Sequence, residues 1–337
     1  MTEYYREYLI LRHARAKRVG EEVIKLGLLL LSQLLIAQSV FGQSVLKEPH
    51  HVERLAVIYP EIREPYRQVF LNMHKGIERS FEGELSTYVL KKKTTTDELY
   101  KWLNKQNVNG VIVLGNRSMR AALLLPSSPL TVVGAVLIQP NAAKLPTITL
   151  VPSPKVLFKK IKKILPKVKR IQVVYRQVNE WFIEQSIKQA SKHGLIILSH
   201  KAENVSEMAY KYRQVLSDMD PHEDALWIAP YGRSPDKTIS KVILEESWRN
   251  KLSVISSNLA DVKRGALFSF YTNNVGMGKE LVSFWHNEQL NDSTEIKVQA
   301  SESIETAINL RTANHLNLHY TKQDRQMFGL MYPTPQN

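Results

Sequence analysis

The chain has 337 residues, of which 43% are hydrophobic and 23% are charged. This composition suffices for one large domain or two smaller ones and excludes large-scale disorder. The absence of cysteine excludes disulfides, thiol catalysis, cysteine-ligated metals and a lipidated cysteine anchor. The net charge of +14 favours anionic partners, but there is no zinc-finger spacing, RNP-like aromatic motif or persuasive helix-turn-helix, so no nucleic-acid partner is expected.

The first 42 residues have the three regions of a secretory signal peptide. Basic residues such as Arg15 and Lys25 precede the apolar stretch Leu26–Ala37, and the small residues Ser39 and Gly42 follow it. This apolar stretch is shorter than the roughly 20 residues that a membrane-spanning helix needs. We therefore expect export, cleavage near Gly42 and a soluble periplasmic form. An uncleaved anchor or a buried N-terminal helix is the alternative.

From residue 54 onward, short β-rich runs alternate with longer runs at helical spacing. The first run, RLAVIY, ends at Pro60, and a helix with apolar residues three and four positions apart follows Pro65. Such alternation predicts βαβ units and parallel sheets. The predicted strands of this first series lie at 54–59, 85–90, 111–114, 131–138 and 147–151, and further helices lie at 96–106 and from about residue 116.

A second series of the same kind follows the first. Its predicted helices lie at 154–165, 180–193, 205–219 and 236–248, and its predicted strands lie at 171–175, 195–199, 225–229, 252–256 and 265–271. Two such series in succession predict two Rossmann-like α/β lobes rather than one barrel. The lysine-rich stretch 155–170 is interpreted as a helix with solvated lysines rather than a lipid-binding patch.

The common local motifs of catalysis are missing. The sequence contains no G-x-S-x-G, H-E-x-x-H, G-x-x-x-x-G-K-[ST] or G-x-G-x-x-G, so we predict no enzymatic activity. Gly276–Lys279 looks like part of a phosphate loop, but Asn273 stands where its first glycine belongs, so we interpret it as a helix start. His315 and His319 lack a nearby carboxylate, so neither a metal nor a cofactor is expected. An enzyme with a site assembled between the lobes is a further alternative.

Polar and aromatic residues directly follow the predicted strands, where open α/β sheets bind ligands. Aromatic rings suit apolar or cationic groups, arginine suits a carboxylate, and amides and hydroxyls orient a ligand. The alternative is that each residue only caps a helix or turns the chain. The candidate ligand-binding residues are Tyr59, Arg63, Tyr66, Asn116, Ser118, Tyr175, Tyr231, Ser257, Asn258, Tyr271 and Asn273.

Several long segments carry a family resemblance. AVIYPEIREPYRQVFLNMHKGIE, PSPKVLFKKIKKILPKVKRIQVVY and LSVISSNLADVKRGALFSFYTNNVGMGKEL resemble the ABC-transporter substrate-binding protein family with the type I periplasmic-binding fold, in the group that includes tryptophan/tyrosine-type receptors. The resemblance implies an N-terminal lobe of residues 50–151 plus 265–300 and a C-terminal lobe of residues 152–264 plus 301–337. It also implies three hinge crossings and a ligand cleft between the lobes, lined by the same strand-end loops.

The resemblance implies a function in solute capture. The expected protein is a monomeric solute-binding component of an ABC-type uptake system, which closes on a small organic solute and docks on an inner-membrane permease. The alternative is a sensor or docking module that keeps this fold, binds an envelope receptor and is not coupled to transport.

Overall fold

The computed structural model describes residues 52–126, 129–229, 237–291, 293 and 295–334. The expected signal peptide and the candidate residue Tyr231 lie outside the described residues. Glu53–Asn337 forms one compact unit. Within the described ranges, no helix combines the length and the apolar character that crossing a bilayer requires.

The described residues form an alternating series of strands and helices. The strands are β1 (Arg54–Pro60), β2 (Glu84–Leu90), β3 (Gly110–Leu114), β4 (Leu130–Val136), β5 (Thr147–Pro152), β6 (Arg170–Tyr175), β7 (Ile196–Lys201), β8 (Asp224–Ile228), β9 (Ser253–Ser256), β10 (Phe268–Thr272), β11 (Val298–Ser301), β12 (Ile304–Asn309) and β13 (Leu330–Tyr332). The α-helices are α1 (Tyr66–Glu78), α2 (Thr96–Gln106), α3 (Gly115–Leu123), α4 (Pro154–Ile164), α5 (Glu180–Ser191), α6 (Val205–Asp218), α7 (Lys237–Arg249), α8 (Leu259–Arg264), α9 (Asn274–Gln289) and α10 (Leu310–His315).

The strands form two sheets. The first has the order β11-β5-β4-β3-β1-β2, and every neighbouring pair in it is parallel. The second has the order β13-β12-β10-β9-β8-β6-β7, in which only the β10–β12 pair of the described strands is antiparallel. The two α/β series predicted from the sequence are therefore confirmed as two parallel-rich sheets.

Helices cover both faces of each sheet, which explains the continuous apolar runs of the strands. In β1, Leu55 and Val57 pack into a cluster with Met73 of α1 and Trp285 of α9. The alternate residues of β1 pack into another cluster with Leu99 of α2. The second sheet likewise separates two clusters of buried residues, so each lobe has its own core.

The chain crosses between the two sheets at three points in the described part. The crossings follow β5 at Ser153, follow β10 at Asn273, and join β11 to β12 through Glu302 and Ser303. The second crossing differs from the expected lobe boundary at residue 265. Because β10 pairs with β9 and β12, residues 265–272 belong to the second sheet, whereas α9 packs on α1 and β4 of the first.

Two glycines allow α1 and α9 to pack in close contact. A Cβ added at Gly278 would lie 2.0 Å from the carbonyl oxygen of Met73, and one added at Gly76 would lie 2.0 Å from that of Val275. Asn273 begins α9, and its side chain accepts a hydrogen bond of 2.8 Å from the amide of Gly276. The segment Gly276–Lys279 is thus a helix start, as its sequence indicates.

Candidate functional site

The strand order of each sheet defines where a ligand site is expected. In the first sheet, β2 lies on one side of β1 and β3 lies on the other. In the second sheet, β6 lies between β7 and β8 in the same way. Open α/β sheets bind ligands outside the carboxyl ends of the strands at such switch points. The relevant loops follow β1, β3, β6 and β8, and most of the loop after β8 lies outside the described residues.

The loop after β1 presents exposed side chains beside a packed tyrosine. The ring of Tyr59 stacks on Phe70 with centroids 6.3 Å apart and meets the edge of His74 at 6.1 Å. Arg63 is exposed, and Tyr66, the first residue of α1, exposes 66% of its surface. The structure thus places Arg63 and Tyr66 at the open edge of the sheet and uses Tyr59 mainly for packing.

The loop after β3 leads at once into α3. Gly115 has φ +84°, a conformation that favours glycine, and no described side chain caps the start of this helix. Asn116 is exposed, whereas Ser118 is fully buried and its Oγ has no hydrogen-bond partner among the residues that the structure describes. This end of α3 therefore combines uncapped amide groups with an unpaired buried hydroxyl.

The segment after β6 holds two further unpaired polar groups. Tyr175 is buried, and the next residue, Arg176, has an enclosed Nε without a hydrogen-bond partner among the described residues. Asn179 is only 6% exposed, and its Oδ1 is unpaired within the same part of the chain. The sequence singles out Arg176 together with Tyr175, because an arginine directly after a buried strand is typical of a ligand site, although only Tyr175 is among the candidate residues. The sequence holds no signal for Asn179.

The remaining candidates in the second sheet form hydrogen bonds within the protein. Ser257 Oγ accepts from the indole of Trp227 at 3.3 Å. The side chain of Asn258 accepts from the amide of Ala260 at 3.0 Å and so caps α8. These bonds show a stabilising role for both residues, in agreement with the capping alternative.

Tyr271 and Asn273 lie next to the second crossing between the sheets. Tyr271 donates a hydrogen bond of 2.6 Å to Glu305, and burial together with this carboxylate raises the pKa of the phenol. Asn273 caps α9, and its backbone amide donates to the carbonyl oxygen of Ser303 at 2.9 Å. Tyr271 therefore connects β10 to β12, and Asn273 connects the second crossing to the third.

A hydrogen bond between the two sheets shows that their carboxyl edges lie opposite each other. The side-chain amide of Gln139, in the segment after β4, donates to the carbonyl oxygen of Val178, which follows β6, at 3.4 Å. The register of β4 shifts between Val133 and Val136, and Ala135 has φ 57°. A bulge of this kind bends a strand and redirects the chain beyond it. The space between the two edges is the candidate ligand cleft.

The three crossings are hydrogen-bonded to one another and to α9. The amide of Ser153 donates to the carbonyl oxygen of Ser301 at 2.8 Å. The carboxylate of Glu280, on α9, accepts from the backbone amides of Glu302 at 3.0 Å and Ser303 at 3.2 Å. One side chain thus holds the third crossing against the helix that begins at the second.

The described residues include no group of three or more side chains arranged to hold a metal ion. His315 instead stacks on Trp248, with ring centroids 3.7 Å apart, and its Nε2 lies 2.8 Å from the carbonyl oxygen of Trp248.

The fold is that of the type I periplasmic binding proteins. A ligand-free, open substrate-binding protein with adhesive properties from Clostridium difficile is similar with a TM-score of 0.57 and 15% identity, covering 84% of this chain and 100% of that chain. A XylFII–LytSN complex mutant is similar with a TM-score of 0.51 and 14% identity, covering 76% of this chain and 97% of that chain. An ABC domain in complex with L-Trp from Streptococcus pneumonia has a TM-score of 0.47 and 13% identity, covering 83% of this chain and 99% of that chain.

A comparison with curated proteins found no match. The family model described as ABC transporter substrate binding protein matches residues 130–324, which is more than half of the 337 residues. The match spans β4 to the segment after α10 and includes the three crossings between the sheets. The chain belongs to the ABC transporter substrate-binding protein family.

Proposed function

We propose that the protein is the periplasmic solute-binding component of an ABC-type uptake system and binds a small organic solute that carries a carboxylate. The observation that carries this proposal is the set of unpaired polar groups at the carboxyl ends of β6 and β3. Arg176 Nε, Asn179 Oδ1 and Ser118 Oγ are all enclosed and lack hydrogen-bond partners in the part of the chain that the structure describes. Family membership supports the binding role, and these groups indicate the ligand chemistry.

A buried polar group without a partner costs about 1–3 kcal/mol, so native proteins contain few of them. A ligand that supplies the missing partners recovers that free energy on binding. A guanidinium group recognises a carboxylate through charge-assisted hydrogen bonds, while an amide and a hydroxyl orient the rest of the molecule. The exposed ring of Tyr66 offers an apolar face at the rim of the same cleft.

The three adjacent crossings support hinge closure as the binding mechanism. They are the covalent connections between the two sheets, and Glu280 ties the third crossing to α9. A solute that contacts both carboxyl edges binds the closed form more tightly than the open form and shifts the population towards it. In this proposal the signal peptide directs export to the periplasm, the closed monomer docks on an inner-membrane permease, and no reaction is catalysed.

One observation favours the alternative of a sensor or docking module that is not coupled to transport. The loop after β1 exposes three charged side chains, Glu61, Arg63 and Glu64, next to the proposed cleft. Charges on an exposed rim steer protein partners as readily as they steer solutes. A neighbouring permease and ATPase gene would favour uptake, and a neighbouring receptor or kinase gene would favour the docking module.

A thermal-shift screen of the full chain tests the proposed function. The panel contains amino acids, aromatic acids, nucleosides, sugars and polyamines. A ligand of the folded state adds about 2.7 kcal/mol of stability at a concentration 100-fold above its Kd. We expect carboxylates to raise the melting temperature, and Arg176→Met to reduce that shift by about half or more. Tyr66→Ala should reduce the ligand-induced shift, because it removes the apolar face at the rim of the cleft. The ring is exposed, so its loss should leave the fold unchanged.

A matched control makes the screen decisive. Arg249→Met removes an exposed arginine that pairs with Glu246 at 2.9 Å on α7 and should leave the ligand-induced shift unchanged. Asn258→Ala is unsuitable, because it also removes the cap of α8. If no compound on the panel shifts the melting temperature, solute capture is contradicted and the docking module is favoured. A ligand-dependent shift without uptake of that ligand by cells would support a sensor.

A further inference from the structure

A cavity outside the cleft lies on the flank of the second sheet. It has a volume of about 400 Å³ and is enclosed by α4, β12 and the segment 326–329. Its polar lining comes from Lys160, Lys163, Glu305, Thr306 and Gln326. None of these residues belongs to the loops after β1, β3, β6 or β8, so this cavity is distinct from the proposed solute site.

Thr306 gives the cavity an unpaired buried hydroxyl. The residue is only 1% exposed, and its Oγ1 has no hydrogen-bond partner within the described ranges. A threonine hydroxyl can donate one hydrogen bond and accept others. A ligand oxygen in the cavity would supply the partner that the protein does not.

Lys160 provides a cation that the fold leaves without a direct partner. The side chain is half-buried, and it forms no ion pair or hydrogen bond with the described residues. Burial lowers the pKa of its ammonium, against a smaller opposite effect of Glu305, and Lys163 lowers it further. An anionic group between the two lysines would relieve both the desolvation and the mutual repulsion.

Glu305 provides an acceptor in the lining of the same cavity. Its Oε2 accepts the hydrogen bond of 2.6 Å from Tyr271, while its Oε1 has no hydrogen-bond partner among the described residues. The carboxylate can therefore accept a hydrogen bond from a ligand ammonium without losing Tyr271. The cavity thus presents positive charge, a hydroxyl and negative charge within one small volume.

We propose that this cavity is a second small-molecule site, which binds a free amino acid in its zwitterionic form. The amino-acid carboxylate binds Lys160, Lys163 and the hydroxyl of Thr306, and its ammonium group binds Glu305. Glu305 follows the third crossing by two residues and Tyr271 precedes the second crossing by two residues. The site therefore lies next to the connections between the sheets, and it does not depend on which solute the cleft binds.

Titration calorimetry of the full chain with glycine and with L-serine tests the proposal. Acetate and ethanolamine each carry only one of the two charges and should bind at least tenfold more weakly. Lys160→Met should raise the Kd of the amino acid by about tenfold or more, because a hydrogen bond to a charged group is lost. Lys159→Met is the matched control, since Lys159 is an exposed neighbour on the same helix, and it should leave the Kd unchanged.

Thr306→Val is a second variant that keeps the shape of the side chain. It removes the unpaired hydroxyl, so we expect it to weaken binding while the unliganded protein keeps or gains stability. It also keeps the proposal testable if Lys160→Met folds poorly. In addition, Arg176→Met in the cleft should leave amino-acid binding at the second site intact.

Two results would overturn the second site. One is the absence of binding by glycine and L-serine up to about 10 mM, a concentration at which even weak specific binding is measurable. The other is binding that Arg176→Met abolishes and both Lys160→Met and Thr306→Val leave unchanged. This second result would place the amino acid in the cleft and leave the proposed uptake function standing.

Discussion

The substitution Arg176→Met tests whether Arg176 serves ligand binding or stabilises the fold. Arg176 Nε is enclosed after β6 and has no hydrogen-bond partner in the described part of the chain. Methionine retains the apolar stem and removes the guanidinium group. An unpaired buried donor costs about 1–3 kcal/mol, and because this side chain is half-buried the lower end applies. We therefore expect the unliganded variant to be more stable than the parent by about 1 kcal/mol.

The same substitution should weaken solute binding. Loss of a charge-assisted contact of about 1.5–3 kcal/mol corresponds to a roughly tenfold to hundredfold rise in Kd. For a protein of this size, the gain in the unliganded form corresponds to about 1–2 °C in melting temperature. Thermal melts without ligand, followed by ligand titrations, measure the two effects separately. Opposite signs for stability and affinity are the expected signature of a functional residue.

Arg249→Met is the control for this comparison, because its exposed ion pair contributes less than about 1 kcal/mol. It should change the stability little and the affinity not at all. If Arg176→Met instead destabilises the unliganded protein by more than about 1 kcal/mol, the guanidinium group supports the fold, and its missing partner does not mark a ligand site.

Three further predictions concern the helix contact, the crossings and the pH dependence. Gly278→Ala should destabilise the protein by about 2–4 kcal/mol in urea unfolding, because the new Cβ would lie 2.0 Å from the carbonyl oxygen of Met73. Gly276→Ala should destabilise the protein less, because the nearest neighbours of the new Cβ are side-chain atoms, at 3.0 Å. Equal losses of stability in the two variants would contradict this account. Glu280→Gln places an amide donor opposite backbone amides, so it should lower the stability by about 1–2 kcal/mol and also lower the solute affinity. An unchanged affinity would show that Glu280 has no part in closure. Burial lowers the pKa of His74 below 6.5, so the unfolded chain binds more protons there and stability falls as the pH drops below about 6.5. Urea unfolding at about pH 5 and 7 should show a smaller loss in His74→Gln, and an identical loss would refute the assignment.

The sequence predicted the individual strands well, because buried strands of parallel sheets have continuous apolar runs. The first predicted strand, 54–59, corresponds to Arg54–Pro60, and the predicted strand 171–175 corresponds to Arg170–Tyr175. The predicted strand 131–138 ends earlier, at Val136, because Ala135 adopts a left-handed conformation at the bulge. No apolar pattern encodes such a local irregularity.

The membership of a strand in a sheet was harder to predict. The segment 265–271 reads as a buried strand, and the family resemblance assigned it to the first lobe. Its hydrogen bonds to β9 and β12 place it in the second sheet. Pairing depends on strands that are distant in sequence, so a local pattern supplies the strand but not its neighbours.

In the candidate site, too, the sequence indicates the residue types, whereas only the structure shows which groups they contact. A polar residue after a strand was recognisable in Arg63, Tyr66 and Asn116, which the structure places as exposed side chains at the carboxyl edge of the first sheet. The same pattern also selected Asn258 and Asn273, whose side chains cap helices. Capping and ligand binding use the same residue types, so the sequence alone does not separate them.

The sequence by itself determined the α/β class, the two successive series and the family, because hydrophobic periodicity and extended segment similarity are properties of neighbouring residues. Only the tertiary structure decided where the chain crosses between the sheets and which polar groups are left without partners. Both depend on contacts between residues far apart in the chain. For that reason Asn179, the missing partner of Arg176 and the cavity around Thr306 emerged from the structure rather than from the sequence.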